Sequence, residues 1–170
     1  GCVRLKDPRG MAAAVLGIAI LLYAVFAKKS DEELIREQLD ELAQAVRVSG
    51  PDENPIFRGK RLHDKFEKLL VPNVRVDISE LTQISSGRTE LVGVATRAGT
   101  IFRSADVEID ASSVDLIAGG SSAMVSGSAT LVGDRGNGTQ RDQRRVSFGF
   151  AKTKDGWLID SVVVAPPPAE

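Results

Sequence analysis

Apolar residues change their spacing twice along this chain. Residues 11–27, MAAAVLGIAILLYAVFA, form an uncharged run with Arg4, Lys6 and Arg9 before it and Lys28 and Lys29 after it. From there to residue 98 apolar positions mostly recur every three or four residues, the helical period, interrupted by one alternating stretch at 74–78. From residue 100 to 164 they alternate with polar ones or gather in β-branched runs, the period of strands. The pattern predicts a hydrophobic N-terminal helix, then a helical part, then a sheet.

Ser30 to Glu33 reads S-x-x-E, in which the serine hydroxyl caps one backbone N–H and the glutamate reaches back to another. The helix it opens carries Ile35, Leu39, Leu42 and Val46 on one face and Glu32, Arg36, Glu37 and Asp40 on the other; Gly50-Pro51 is its expected end. After a polar linker at 52–55, Phe57, Leu62, Phe66, Leu69 and Leu70 mark a second amphipathic helix that should stop before Pro72. Val74, Val76 and Ile78 then alternate as in a half-buried strand. A third helix is expected over 89–98, with the stripe Leu91, Val94, Ala95 and Ala98 and with Gly99 as its stop.

The sheet half divides at turn residues into runs at 102–117, 122–132, 144–152 and 157–164. Short turns join them, so they should be antiparallel neighbours. One domain at 30–165 follows, preceded by a flank and anchor at 1–29 and followed by a disordered tail at 166–170.

Composition narrows the function. Lys and Arg total 22 against 23 Asp and Glu, a formal charge of -1, which offers no general attraction to nucleic acid. A lone Cys2 and a lone His63 rule out a disulfide within the chain and a His or Cys metal cluster, and no cofactor is implied. The apolar run suits a single-pass anchor or a signal peptide; Lys28 and Lys29 read as an interfacial stop, which favours the uncleaved anchor. With residues 1–10 retained, the positive-inside rule places the domain outside the cytoplasm, in the periplasm if the cell is bacterial; a start at Met11 reverses that bias.

Helix, helix, strand, helix and a four-stranded antiparallel meander resembles the nuclear transport factor 2-like superfamily, a cystatin-like α+β cone. The closing segment DGWLIDSVVV at 155–164 is similar to that superfamily's D-G-x-W-x-I ending, and the opening SDEELIREQLDEL is similar to its first helix. The resemblance covers about 30–166 and implies three helices on a curved, mainly antiparallel sheet, with a conical pocket. Some members are isomerases or cyclases, others binding or assembly domains, and related folds often pair through the sheet. Leu42, Phe66, Leu91, Val94, Phe148, Trp157 and Asp160 are the expected pocket residues.

Acid–base chemistry in such a pocket needs a carboxylate base and an oxyanion donor. The only tyrosine is Tyr23 in the hydrophobic run, so the usual donor is missing from the domain. Asp160 alternates with Leu158, Val162 and Val164, which makes it the one catalytic candidate, although pairing with an arginine on the next strand is the blander expectation. Asp106, Glu108 and Asp110 share a strand face and read as solvated; His63 reads as an exposed helix residue. The small residues Ser121, Ser122, Ala123, Ser126, Gly127, Ser128 and Ala129 would make a flat surface suited to a second copy or another protein. The reading favoured is a non-enzymatic, membrane-tethered domain that binds a partner protein or a small apolar ligand. A small isomerase- or hydrolase-like enzyme is the alternative.

Overall fold

The computed structural model of the protein describes residues 29–79, 87–117 and 119–166. The apolar run at 11–27, and with it the expected anchor, lies outside them, as do tail residues 167–170. Among the described residues no helix is long and apolar enough to cross a membrane.

Helix α1 spans Asp31–Val46 and opens with the expected capping box. Glu33 N–H donates to Ser30 Oγ at 3.2 Å, and Ser30 N–H to Glu33 Oε2 at 2.8 Å. It ends four residues before Gly50, because Val48 turns extended and exchanges backbone hydrogen bonds with Ala105 at 2.8 and 3.0 Å. Helix α2, Pro55–Leu69, starts with Pro at its first turn and with Asn54 as N-cap, whose side chain accepts from Ile56 N–H at 2.9 Å. Strand β1, Leu70–Ile78, follows without a linker. Pro72 therefore sits inside a strand, tolerated at an irregular stretch of a sheet edge where no N–H is required.

Helix α3 spans Arg88–Ile101 and runs through Gly99, the expected stop. A Cβ at Gly99 would lie 2.8 Å from Arg58 Cδ, so the glycine admits a neighbouring side chain and does not end the helix. Strands β2 (Ser104–Leu116), β3 (Ser122–Asp134), β4 (Thr139–Thr153) and β5 (Gly156–Ala165) complete a five-stranded sheet ordered β1-β5-β4-β3-β2. The last four strands are antiparallel neighbours, as expected. β1 adds to β5 in parallel, which makes the sheet mixed. The architecture is the α+β one expected, three helices on one sheet.

The core lies between α1, α2 and the sheet's inner face. Ile35 and Leu39 of α1 and Leu62, Phe66 and Leu69 of α2 meet Val125, Phe148, Phe150, Trp157 and Ile159, all buried. Burial of side chains of this size stabilises by about 1.5–3 kcal/mol each. α1 and α2 run antiparallel, as the pairing of Arg58 with Val46 and Arg47 and of Lys65 with Glu41 requires.

Candidate functional site: the inner face of the cone

The inner face of the sheet can be followed row by row from its closed end. Phe150 pairs with Ala123 and Ile159, Phe148 with Val125 and Val162, and Val146 with Gly127 and Val164. The next residues of β4 on this face are Arg144 and Asp142, opposite Ala129 and Leu131 of β3, which pair in turn with Ile109 and Val107 of β2. Arg144 Nε donates to Asp142 Oδ1 and Oδ2 at 3.1 and 3.0 Å. The surface is thus apolar over most of its length and ends in an ion pair.

Burial falls off along the same path. Ile159 and Phe150 are closed off, whereas Val162, Val164, Ala129 and Ile109 are only partly buried, as are Leu42 and Val46 on α1 and Leu91, Val92 and Ala95 on α3. α3 packs on α2 and β1 and not across the middle of the sheet. Apolar walls thus lead to one polar pair at this end of the sheet.

The expected pocket residues separate into three groups. Phe66, Phe148 and Trp157 belong to the closed core. Leu42 and Leu91 stand on the partly buried walls. Val94, 37% exposed, is on the outer side of α3.

Asp160 is a correction to the alternation read from the sequence. The register of β4 with β5 slips between Gly149 and Phe150, so β5 carries an extra residue there. A Cβ built on Gly149 would overlap both Asp160 Oδ1 and Ser161 Oγ. Gly149 lies between the inward Phe148 and Phe150, so the acid sits on the convex face, away from Val162 and Val164. Among the described residues no arginine pairs with Asp160; Ser161 Oγ donates to its Oδ1 at 2.8 Å. A glycine between two phenylalanines in a strand is the one sequence signal of this bulge.

Among the described residues three carboxyl groups are displaced, each of them beside a cation. Hydrogen bonds from Lys152 and then Trp157 hold Asp31 below its ordinary value, and a bidentate hydrogen bond from Arg47 does the same for Asp106 while raising the guanidinium. Burial would raise Glu53, but hydrogen bonds from Arg61 and Arg58 outweigh it and the net direction is down. Each is an acid held charged by a cation, the opposite of a base raised by an apolar pocket.

Arg58 carried no signal in the sequence, where it belongs to a basic helix. It is 1% exposed. Its guanidinium donates to Arg47 O at 2.7 Å, Val46 O at 3.0 Å, Ala95 O at 3.1 Å and Glu53 Oε2 at 2.9 Å. It satisfies the last carbonyls of α1 and ties α1, α2 and α3 together at the open end of the cone. Other expectations hold: His63 is exposed, and Asp106, Glu108 and Asp110 are all solvated.

At the β2 edge of the inner face, a cleft of ≈ 680 Å³ runs between α1 and β2, lined by Asp40, Gln44, Arg47, Asp106 and Glu108 together with Val107 and Ile109 of that face. Arg47 closes across it, its Nε and Nη2 donating to Asp106 at 2.9 and 2.7 Å.

No protein-family model matches the chain, and no curated protein matches its sequence. Solved structures do. An NTF2-like superfamily protein from Salmonella enterica serovar Typhimurium is 17% identical over 79% of this chain and 89% of its own, with a TM-score of 0.62. A domain of unknown function with a cystatin-like fold from Nostoc punctiforme is 16% identical over 84% and 81%, with a TM-score of 0.63. A Novosphingobium aromaticivorans protein provisionally described as an aromatic ring hydroxylase is 17% identical over 82% and 90%, with a TM-score of 0.65. At such identities the likeness is one of fold.

Proposed function

We propose that this chain, which has the nuclear transport factor 2-like, cystatin-like fold, is a non-enzymatic binding domain tethered to a membrane by residues 11–27 and taking a small apolar ligand in its cone. The observation that carries the reading is the inner face itself. Leu42, Leu91, Ile109, Ala129, Val162 and Val164 turn toward the core yet stay partly accessible, and the Arg144–Asp142 pair is the polar element at their end. Such a surface binds by apolar burial and orients by one charged contact.

An isomerase- or hydrolase-like reading needs an uncommitted carboxylate among those walls. Asp160 is on the other face, and Asp142 is held by Arg144. The similar fold of a protein provisionally described as an aromatic ring hydroxylase carries no residue roles over to this chain.

The test is to fill the cone. Ala129→Trp should abolish binding of an apolar fluorescent probe such as an anilinonaphthalene sulfonate, while the melting temperature stays near that of the parent chain. Equal probe binding by the two folded chains would defeat the reading.

The convex face supports a second copy of this chain as partner. Its rows read Asp106–Val132–Arg141, Glu108–Thr130–Gln143 and Asp110–Ser128–Arg145, so a column of three acids, one of them held by Arg47, and a column with two arginines flank a column of small or neutral residues. A two-fold rotation lays each acidic column on the other copy's basic one.

A further inference from the structure

The outward face of α2 is used by neither the cone nor the convex sheet. Phe57, Lys60, Arg61, Asp64, Lys65 and Lys68 recur along it at spacings of three and four, and line one shallow groove of ≈ 320 Å³. Four of the six are cations. Arg61 is paired with Glu53 and Lys65 with Glu41, the latter at 3.1 Å, while Lys60 and Lys68 have no partner among the described residues. At the helix start Phe57 is 72% exposed and Ile56 80%. A large aromatic and a β-branched residue left in water beside a basic stripe make the composition of a helix that lies on an anionic bilayer, with rings in the acyl boundary and cations among the phosphates.

The position of the stripe fits that partner. The apolar run ends at Ala27, three residues before the N-cap Ser30 of α1. α1 and α2 are antiparallel, so Lys68 lies toward the end of the domain where the run enters and Phe57 lies about 16 Å further along. A domain tethered at Ser30 and lying on α2 brings both ends of the stripe to the same plane.

We infer that α2 is a membrane-docking face: Phe57 inserts at the headgroup boundary, and Lys60 and Lys68 hold anionic phospholipid phosphates. The inference rests on the tether proposed above. It adds that the domain is oriented on the surface and does not merely hang from it. Attraction of this kind weakens by about fivefold for each cation removed and is screened by salt.

The test uses the full chain with Phe57→Trp as reporter, Trp157 being buried and subtracted with the parent chain. It is mixed with vesicles of phosphatidylcholine alone or with added phosphatidylglycerol, each carrying brominated lipid. The expected result is flotation with both, with quenching and a blue shift of the new tryptophan only on anionic vesicles, and loss of both signals when Lys60→Glu and Lys68→Glu are added. A chain that floats with both vesicles but whose reporter is unquenched on either, or equally quenched on both, overturns the docking face and leaves the tether standing. Flotation with anionic vesicles only, with quenching, overturns the tether and keeps the docking face. Flotation with neither overturns both. A blue shift produced by duplex DNA and not by vesicles overturns the lipid assignment.

Discussion

The indole Nε1–H of Trp157 donates to Asp31 Oδ1 at 2.9 Å, across 126 residues of chain. Lys152 Nζ completes the arrangement, 2.9 and 2.8 Å from the two oxygens of Asp31 and 5.2 Å from the centre of the indole. The two segments that carry the family resemblance, the first turn of α1 and the start of β5, are therefore bonded to each other. The tryptophan is buried in the core, and its polar edge ties the first turn of α1, opened by the Ser30–Glu33 box, to β5.

A pH dependence follows. Asp31 is depressed by Lys152 first and by Trp157 second. A carboxyl lowered in the folded state contributes stability that is fully present above its unfolded value and is lost as pH falls through the folded one. Asp106 and Glu53 have the same sign. Melting temperature should hold from neutrality to about pH 4 and drop below it. Asp31→Asn should melt lower than the parent at pH 7 and converge with it in strong acid, which thermal scans at stepped pH will read.

Arg58→Met should cost about 3 kcal/mol in a urea titration, because it strands the carbonyls of Val46, Arg47 and Ala95. Arg58→Lys should recover only part of this, since an ammonium cannot reproduce the planar fork.

Two glycines of α3 should respond with opposite signs. Gly93 has nothing within 4 Å of a built Cβ, so Gly93→Ala should stabilise by about 0.5–1 kcal/mol. Gly99→Ala meets Arg58 Cδ at 2.8 Å and should destabilise by about 1–3 kcal/mol. Paired denaturant midpoints decide it.

If a second copy covers the convex face, Asp110→Arg should dissociate it in sedimentation equilibrium. Adding Arg145→Asp should restore association, because the two columns then exchange sign together. A parent chain that sediments as a monomer would refute the pairing.

Much of the fold was legible from local rules. The S-x-x-E box, the three-and-four spacing of Ile35, Leu39 and Leu42, and the alternation after residue 100 each state a preference that neighbouring residues suffice to express. The boundaries at Gly50 and Gly99 were misread for one reason. Val48 leaves the helix to pair with Ala105, and Gly99 stays in one to admit Arg58, and both partners are distant in sequence.

The site shows the same division. The resemblance implied a conical pocket, and residue types gave the domain little acid–base equipment, since it has no tyrosine and one histidine. Which side chains face inward was decided by tertiary structure. A single extra residue in β5 reverses the face of every residue beyond it, placing Val162 and Val164 inside and Asp160 outside. Periodicity records what each segment prefers by itself. A bulge, or an arginine buried among three helices, arises from how segments meet, and no spacing within one of them encodes it.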